Sequence, residues 1–195
     1  MKEWNTSRLK MEVFSRLFQE WAVLTAGNTE HFNAMTINWG GFGTLWQKPV
    51  VTVYVKPARY THEFMMQQKA FTVSFFDERY HRDLVYLGST SGRTEKKLCQ
   101  TSLTPECWED AVVYPQASVT LVCRKIYTLP MVAQGIPQKV ADTYYRTEEP
   151  HTIFWGEVRK VLLRDDVCGD DATTPQENGE SRSECKSEKG VKTKR

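Results

Sequence analysis

The sequence predicts a mainly β (α+β) domain: an antiparallel sheet closed, or partly closed, into a barrel with short helices on its rim. Three observations carry this. Segments with strand patterning outnumber helical ones, and no regular strand–helix–strand alternation of the kind a parallel sheet needs occurs. At 195 residues, 40% hydrophobic and 12% aromatic, the chain suits one domain with a full core. Residues 33–43 begin as a strand and then break into Trp39-Gly40-Gly41-Phe42-Gly43. Aromatics separated by glycines offer flat surface and close backbone approach, which suits a planar ligand.

The elements follow in order. Residues 7–20 read as a helix. Residues 21–25 form an apolar strand closing on the turn Ala26-Gly27-Asn28. Over 33–38, Met35 and Ile37 alternate against Thr36 and Asn38. Over 50–55, Val51, Val53 and Val55 alternate against Thr52 and Tyr54. A helix is expected over 61–68, with Thr61 as N-cap and Phe64 and Met65 facing inward. Residues 71–76 put Phe71, Val73 and Phe75 on one strand face. A helix is read at 94–100, and long strands at 118–127 and 152–163. Residues 165–195 hold eight acidic and six basic residues, with Val167 and Val191 as the only sizeable aliphatics. Such a segment cannot offset its ordering entropy by burial, so a disordered tail is expected after a domain spanning 1–164.

Composition narrows the function classes. The formal net charge of +2 demands neither nucleic acid nor anionic membrane. Charged residues interrupt the first 30 positions, against a signal peptide, and no run approaches the ~18 apolar residues of a membrane span. The expectation is a soluble, cytoplasmic protein. Five cysteines without a CxxC pair or nearby histidine argue against zinc or a disulfide framework, and no metal site is expected. No Gly-x-Ser-x-Gly elbow, His-Glu-x-x-His pair or Gly-x-Gly-x-x-Gly turn is present. A barrel binding oligonucleotide is disfavoured, because the basic residues form no stripe with interleaved aromatics.

Three segments combine hydroxyls, cations and turns. The first is Thr36-Ile37-Asn38-Trp39. The second is Lys56-Pro57-Ala58-Arg59-Tyr60-Thr61, which follows a strand and opens a helix whose N-terminus favours an anion. Arg59 adds a planar fork suited to phosphate. The third is Gly88-Ser89-Thr90-Ser91-Gly92-Arg93, read as lying before a helix and able to form an anion-binding concavity. Together they point to a phosphorylated aromatic ligand.

The motifs WAVLTAG (21–27), FNAMTINWGGFG (32–43), Trp46-x-Lys48-Pro49, VKPARYT (55–61), FTVSFFD (71–77), GSTSGR (88–93) and Gly156-Glu157-Val158, in this order and spacing, resemble the flavin reductase-like, FMN-binding split-barrel family, including its flavoredoxin-type members. The resemblance covers roughly residues 15–163. It implies a six-stranded antiparallel split β-barrel of Greek-key type, usually a homodimer, with FMN as cofactor. It places Met35, Thr36, Ile37, Asn38, Trp39 and Gly40 along the isoalloxazine, with Thr36 and Asn38 at its polar edge. Lys56, Arg59, Tyr60 and Thr61 would hold the phosphate and ribityl chain, with Ser89, Ser91, Gly92 and Arg93 close by. His151 looks like the histidine that related reductases place near the nicotinamide, although Glu149-Pro150 precede it here instead of the more familiar Gly-Asp. The implied activity is hydride transfer from NADH or NADPH to flavin, onward to free flavin or a redox protein. The alternative is an electron carrier without a nicotinamide site.

Overall fold

A computed structural model of the protein describes residues 1–28 and 30–167. The tail expected over 165–195 falls almost wholly outside the described residues. Among the described residues, ten strands and four α-helices follow in chain order. β1 is Lys2–Trp4, α1 is Val13–Ser15, β2 is Ala22–Gly27, β3 is Phe32–Ile37, β4 is Gly40–Leu45 and β5 is Lys48–Val55. Then come α2 (Tyr60–Gln67), β6 (Ala70–Phe75), α3 (His81–Ser89), β7 (Glu106–Trp108), β8 (Ala111–Val113) and β9 (Val119–Pro130). α4 (Gln138–Tyr144) and β10 (Thr152–Leu163) end the series.

The main sheet runs β3-β2-β6-β9-β10-β5-β4, with β1 added on β10, and all its pairings are antiparallel. It has eight strands, not the six the resemblance implies. The six are the ones visible as apolar alternation or, in β2, as an apolar run. β1 and β4 escaped because one is three residues long and the other carries three glycines. β3 and β4 are consecutive in the chain yet lie at opposite ends of the hydrogen-bonded order. The barrel is therefore split between them, at Asn38-Trp39.

The aromatic–glycine stretch is thus a strand and not a break. β4 pairs with β5 from Gly40↔Val53 to Leu45↔Lys48, and Trp46-Gln47 turn the hairpin with φ of 50° and 59°. A two-residue hairpin of this twist needs positive φ at both positions, so these two side chains accept some strain.

The barrel interior holds Leu24, Val53, Val55, Phe71, Val73, Phe75, Leu121 and Phe154, all buried. β2 is buried along its whole length, because α3 and β8 cover its other face through Leu84, Leu87, Val112 and Tyr114. Its unbroken apolar run reflects that two-sided burial. β10 meets β9 across two register shifts, at Trp155/Gly156 and Val158/Lys160. Such irregularities bend a strand and let it serve both halves of a barrel. Gly156 sits at the first; a Cβ there would lie 2.3 Å from the Phe71 ring.

Three helix expectations need correction. Residues 7–20 are not one helix: a 3-10 turn (Thr6–Arg8) is separated from α1 and the π-turn Arg16–Glu20. At 94–100 only Lys97–Gln100 is helical, as a 3-10 turn. α3 was missed, and it ends at Ser89, so residues 88–93 span the end of a helix. Among the described residues no helix is long and apolar enough to cross a membrane, and no cluster of metal-ligating side chains occurs.

Candidate functional site

The seam of the barrel holds two adjoining chambers. The first, about 460 Å³, is lined by Met35, Thr36, Ile37, Asn38 and Trp39 of β3 and its exit, and by Tyr54, Lys56, Arg59, Tyr144 and His151. The second, about 90 Å³, lies between the start of α2 and the end of α3. Its walls include Asn33, Arg59, Tyr60, Thr61, Gly88, Thr90, Ser91, Gly92 and Lys97. Met35 and Arg59 line both, so the chambers are neighbours along one groove.

The larger chamber is aromatic at its far end, with the Lys56–Glu148 ion pair beside it. Trp39 meets Tyr144 edge-on at 5.1 Å between ring centroids and His151 at 5.1 Å in a tilted arrangement. His151 Nδ1 is 2.9 Å from the Tyr145 hydroxyl. Burial, aided by the nearby Lys56 charge, pushes the His151 pKa down to about 4, so the ring is neutral at physiological pH. Burial also raises the Tyr145 pKa, and the phenol keeps its proton. Lys56 Nζ donates to the Tyr144 carbonyl at 3.1 Å and pairs with Glu148, holding α4 and the loop after it against the chamber. That pairing lowers the Glu148 pKa.

The smaller chamber is cationic. Lys97 is 5% exposed, and its ammonium donates to the carbonyls of Leu87 (2.7 Å) and Thr90 (3.0 Å), with no carboxylate among the described residues in salt-bridge range. Burial and then the Arg59 charge lower its pKa to about 8. Arg59 itself makes only a long 3.4 Å contact to the Gly88 carbonyl. Among the described residues neither of these two cations makes an ion pair, and α2 opens its N-terminal end on the same space. Asn33 Nδ2 donates to the Thr61 hydroxyl at 2.7 Å. Gly92 lies so close to Asn33 that a Cβ would come within 2.0 Å of its Oδ1. A side chain at position 92 would have to displace the Asn33 amide.

Several expected residues sit elsewhere. Thr61 is not the N-cap of α2; Arg59 is, in extended geometry and without a side-chain cap bond. The Thr36 hydroxyl donates to the Leu84 carbonyl, tying β3 to α3, although its side chain still lines the ring chamber. Lys56 lies at the ring chamber and not at the cationic one. Gly40 lines a separate apolar cavity of about 650 Å³ beyond Trp39, next to Phe14, Phe18 and Phe42. Ser89 is exposed and bonds back to the Val85 and Tyr86 carbonyls within its own helix. Arg93 bonds the Ala58 carbonyl at 2.9 Å, pairs with Glu63 and lies over the Tyr60 ring, so it fastens its loop to α2. Neither Ser89 nor Arg93 lines a chamber.

Sequence reasoning missed Lys97, Asn33, Tyr54 and Tyr144. Tyr54 was visible as an aromatic on the outward positions of β5. A lysine carries no such signal, because nearly all lysines are exposed.

The fold and the paired chambers define a class: split β-barrels with a groove at the open seam. The chain belongs to the family of flavin reductase-like domains, whose model matches residues 14–174. Among solved structures it is similar to flavoredoxin from Methanosarcina acetivorans (19% identity, covering 80% of this chain and 76% of that one, TM-score 0.60). It is also similar to an FMN-binding protein from Thermus thermophilus with bound 1-cyclohex-2-enone (18%, 84% and 81%, 0.60). A third is the styrene monooxygenase flavin reductase from Pseudomonas putida S12 (19%, 75% and 80%, 0.56). A comparison with curated protein sequences finds no significant match.

Proposed function

We propose that the protein is an FMN-binding oxidoreductase that takes hydride from NADH or NADPH. One observation carries this reading: an aromatic chamber adjoins a small dicationic one across Met35 and Arg59. A flat ring bearing one phosphate has that distribution of chemistry. The donor sets fit the group. Lys97, Arg59, Ser91 and the first-turn amides of α2 suit a phosphate dianion, and the chamber of Met35, Ile37, Trp39 and Tyr54 suits a ring.

FMN would supply the redox chemistry when bound. The chain's own groups would do the rest. Asn38 offers an amide to the ring's polar edge. Trp39, Tyr144 and neutral His151 would wall the far side. Tyr145 holds His151 through Nδ1. Because His151 is uncharged, a cationic ring could enter beside it without repulsion. Electrons would pass onward to free flavin or a redox protein. The exposed Phe14 and Phe18 (91% and 76%) support a homodimer covering that face.

A carrier without a nicotinamide site is the second reading. It is favoured by α4, whose Tyr144 already lies against Trp39 on the open side of the chamber. Anaerobic stopped-flow mixing of the FMN-loaded protein with each nicotinamide decides between them. Bleaching of flavin absorbance within seconds is expected for a reductase. A spectrum unchanged by either donor, but bleached by dithionite, would leave the carrier.

A further inference from the structure

A neutral imidazole has two tautomers with opposite capabilities. With its proton on Nε2, His151 would offer the aromatic chamber a hydrogen-bond donor; with the proton on Nδ1 it would offer an acceptor. The choice is set by what Nδ1 meets, and Nδ1 meets the Tyr145 hydroxyl at 2.9 Å. The same oxygen lies 3.8 Å from Met131 Sδ. A hydroxyl has one proton to place. A ring nitrogen is a strong acceptor and a thioether a weak one, so the phenol donates to Nδ1 and the imidazole proton is left on Nε2.

The surroundings keep this arrangement in place. The imidazole is wedged between Trp39, at 5.1 Å between ring centroids, and the Tyr145 ring, edge-on at 5.5 Å. The His151 carbonyl accepts from the Met131 N–H at 2.9 Å, which ties the start of β10 to the chain leaving β9. Among the described residues Nδ1 is the only ring atom of His151 with a hydrogen-bond partner, and the side chain lines the aromatic chamber. Nε2 is therefore the nitrogen left for a ligand. We propose that Tyr145 is a positioning residue: it fixes the Nε2–H tautomer of His151 and so makes the far wall of the chamber a hydrogen-bond donor. A group meeting that wall must present an acceptor. On the hydride-transfer reading of the site, on which this last step rests, the group is the carboxamide oxygen of the nicotinamide and not its NH2.

Two measurements test this. Two-bond 1H–15N spectra of the full chain labelled with 15N-histidine read the tautomer with no flavin or dinucleotide present, the His151 signals being those lost in His151→Gln. Protonated Nε2 and bare Nδ1 are expected, with the Nδ1 resonance moving in Tyr145→Phe as its hydrogen bond is lost. A protonated Nδ1 in the wild type would overturn the proposal whatever the protein binds. The second measurement compares steady-state KM of the FMN-loaded protein for NADH and NADPH with that for their 3-acetylpyridine analogues, which keep the carbonyl oxygen and lack the NH2. The wild type should show similar values for each pair. Tyr145→Phe should raise both by about fivefold at unchanged kcat, as when one neutral hydrogen bond common to ground and transition state is weakened. An acetyl analogue with a KM about tenfold higher in the wild type would show the wall accepting from the NH2, against the proposal. A protein that has the Nε2–H tautomer yet oxidises no dinucleotide loses the hydride-transfer reading and keeps Tyr145 as the residue that makes the wall a donor.

Discussion

The two ends of the seam hold the same physical device with opposite results. Lys97 and His151 are both buried bases, and burial lowers the pKa of each, to about 8 and about 4. Because their ordinary values differ by about four units, the lysine stays mostly protonated at neutral pH while the histidine is neutral. One cause therefore leaves a charged lysine at the small chamber and a neutral imidazole at the aromatic one. The groove is polarised by which base is buried where.

The largest effect should come from removing the charge at the small end. Lys97→Met keeps the stem but deletes the ammonium. FMN affinity should fall by about 3 kcal/mol, roughly 100-fold, the upper range for a charge-assisted bond. Riboflavin, which lacks the phosphate, should bind both proteins alike in the same titration. The pH profile sharpens this. A bound dianion raises the Lys97 pKa, so the complex holds the proton more tightly than the free protein. FMN affinity should be level between about pH 6.5, where the phosphate is dianionic, and 8. Above 8 it should fall towards tenfold per pH unit. Lys97→Met should be flat there; an unchanged slope would assign the titration to another group.

The aromatic end is probed through stability. The His151 pKa is lowered from 6.5 to about 4. Between these values the unfolded chain binds the proton that the folded one refuses, so stability rises with pH across this window. By linkage the rise is up to about 3 kcal/mol. Denaturant midpoints should show it in the wild type, and His151→Gln should lose that portion of the slope. Equal slopes in both proteins would mean His151 is not desolvated.

The smallest effect is expected at Arg59, which is exposed and weakly held. Arg59→Ala should weaken FMN by about 1.5 kcal/mol, about tenfold, the lower range for a charged hydrogen bond. A loss as large as that at Lys97 would break the contrast between buried and exposed cations.

The legible parts share one property: they depend on local period. The six central strands were readable because Val51, Val53 and Val55, or Phe71, Val73 and Phe75, alternate against polar neighbours. β4 was not, since Gly41 and Gly43 face open space and leave no pattern. α3 was hidden because only Leu84 and Leu87 are buried in it. Missing it turned residues 88–93 from a helix end into a helix start.

By itself the sequence determined the antiparallel sheet, the strand leading into Trp39, and Arg59 at the mouth of α2. These follow from side-chain alternation and from turn chemistry along a single stretch of chain. Only the tertiary structure decided which groups meet at the seam. Lys97 faces Arg59 from nearly forty positions away, and α4 brings Tyr144 across to Trp39. A base is desolvated by what folds around it, and no local pattern records that.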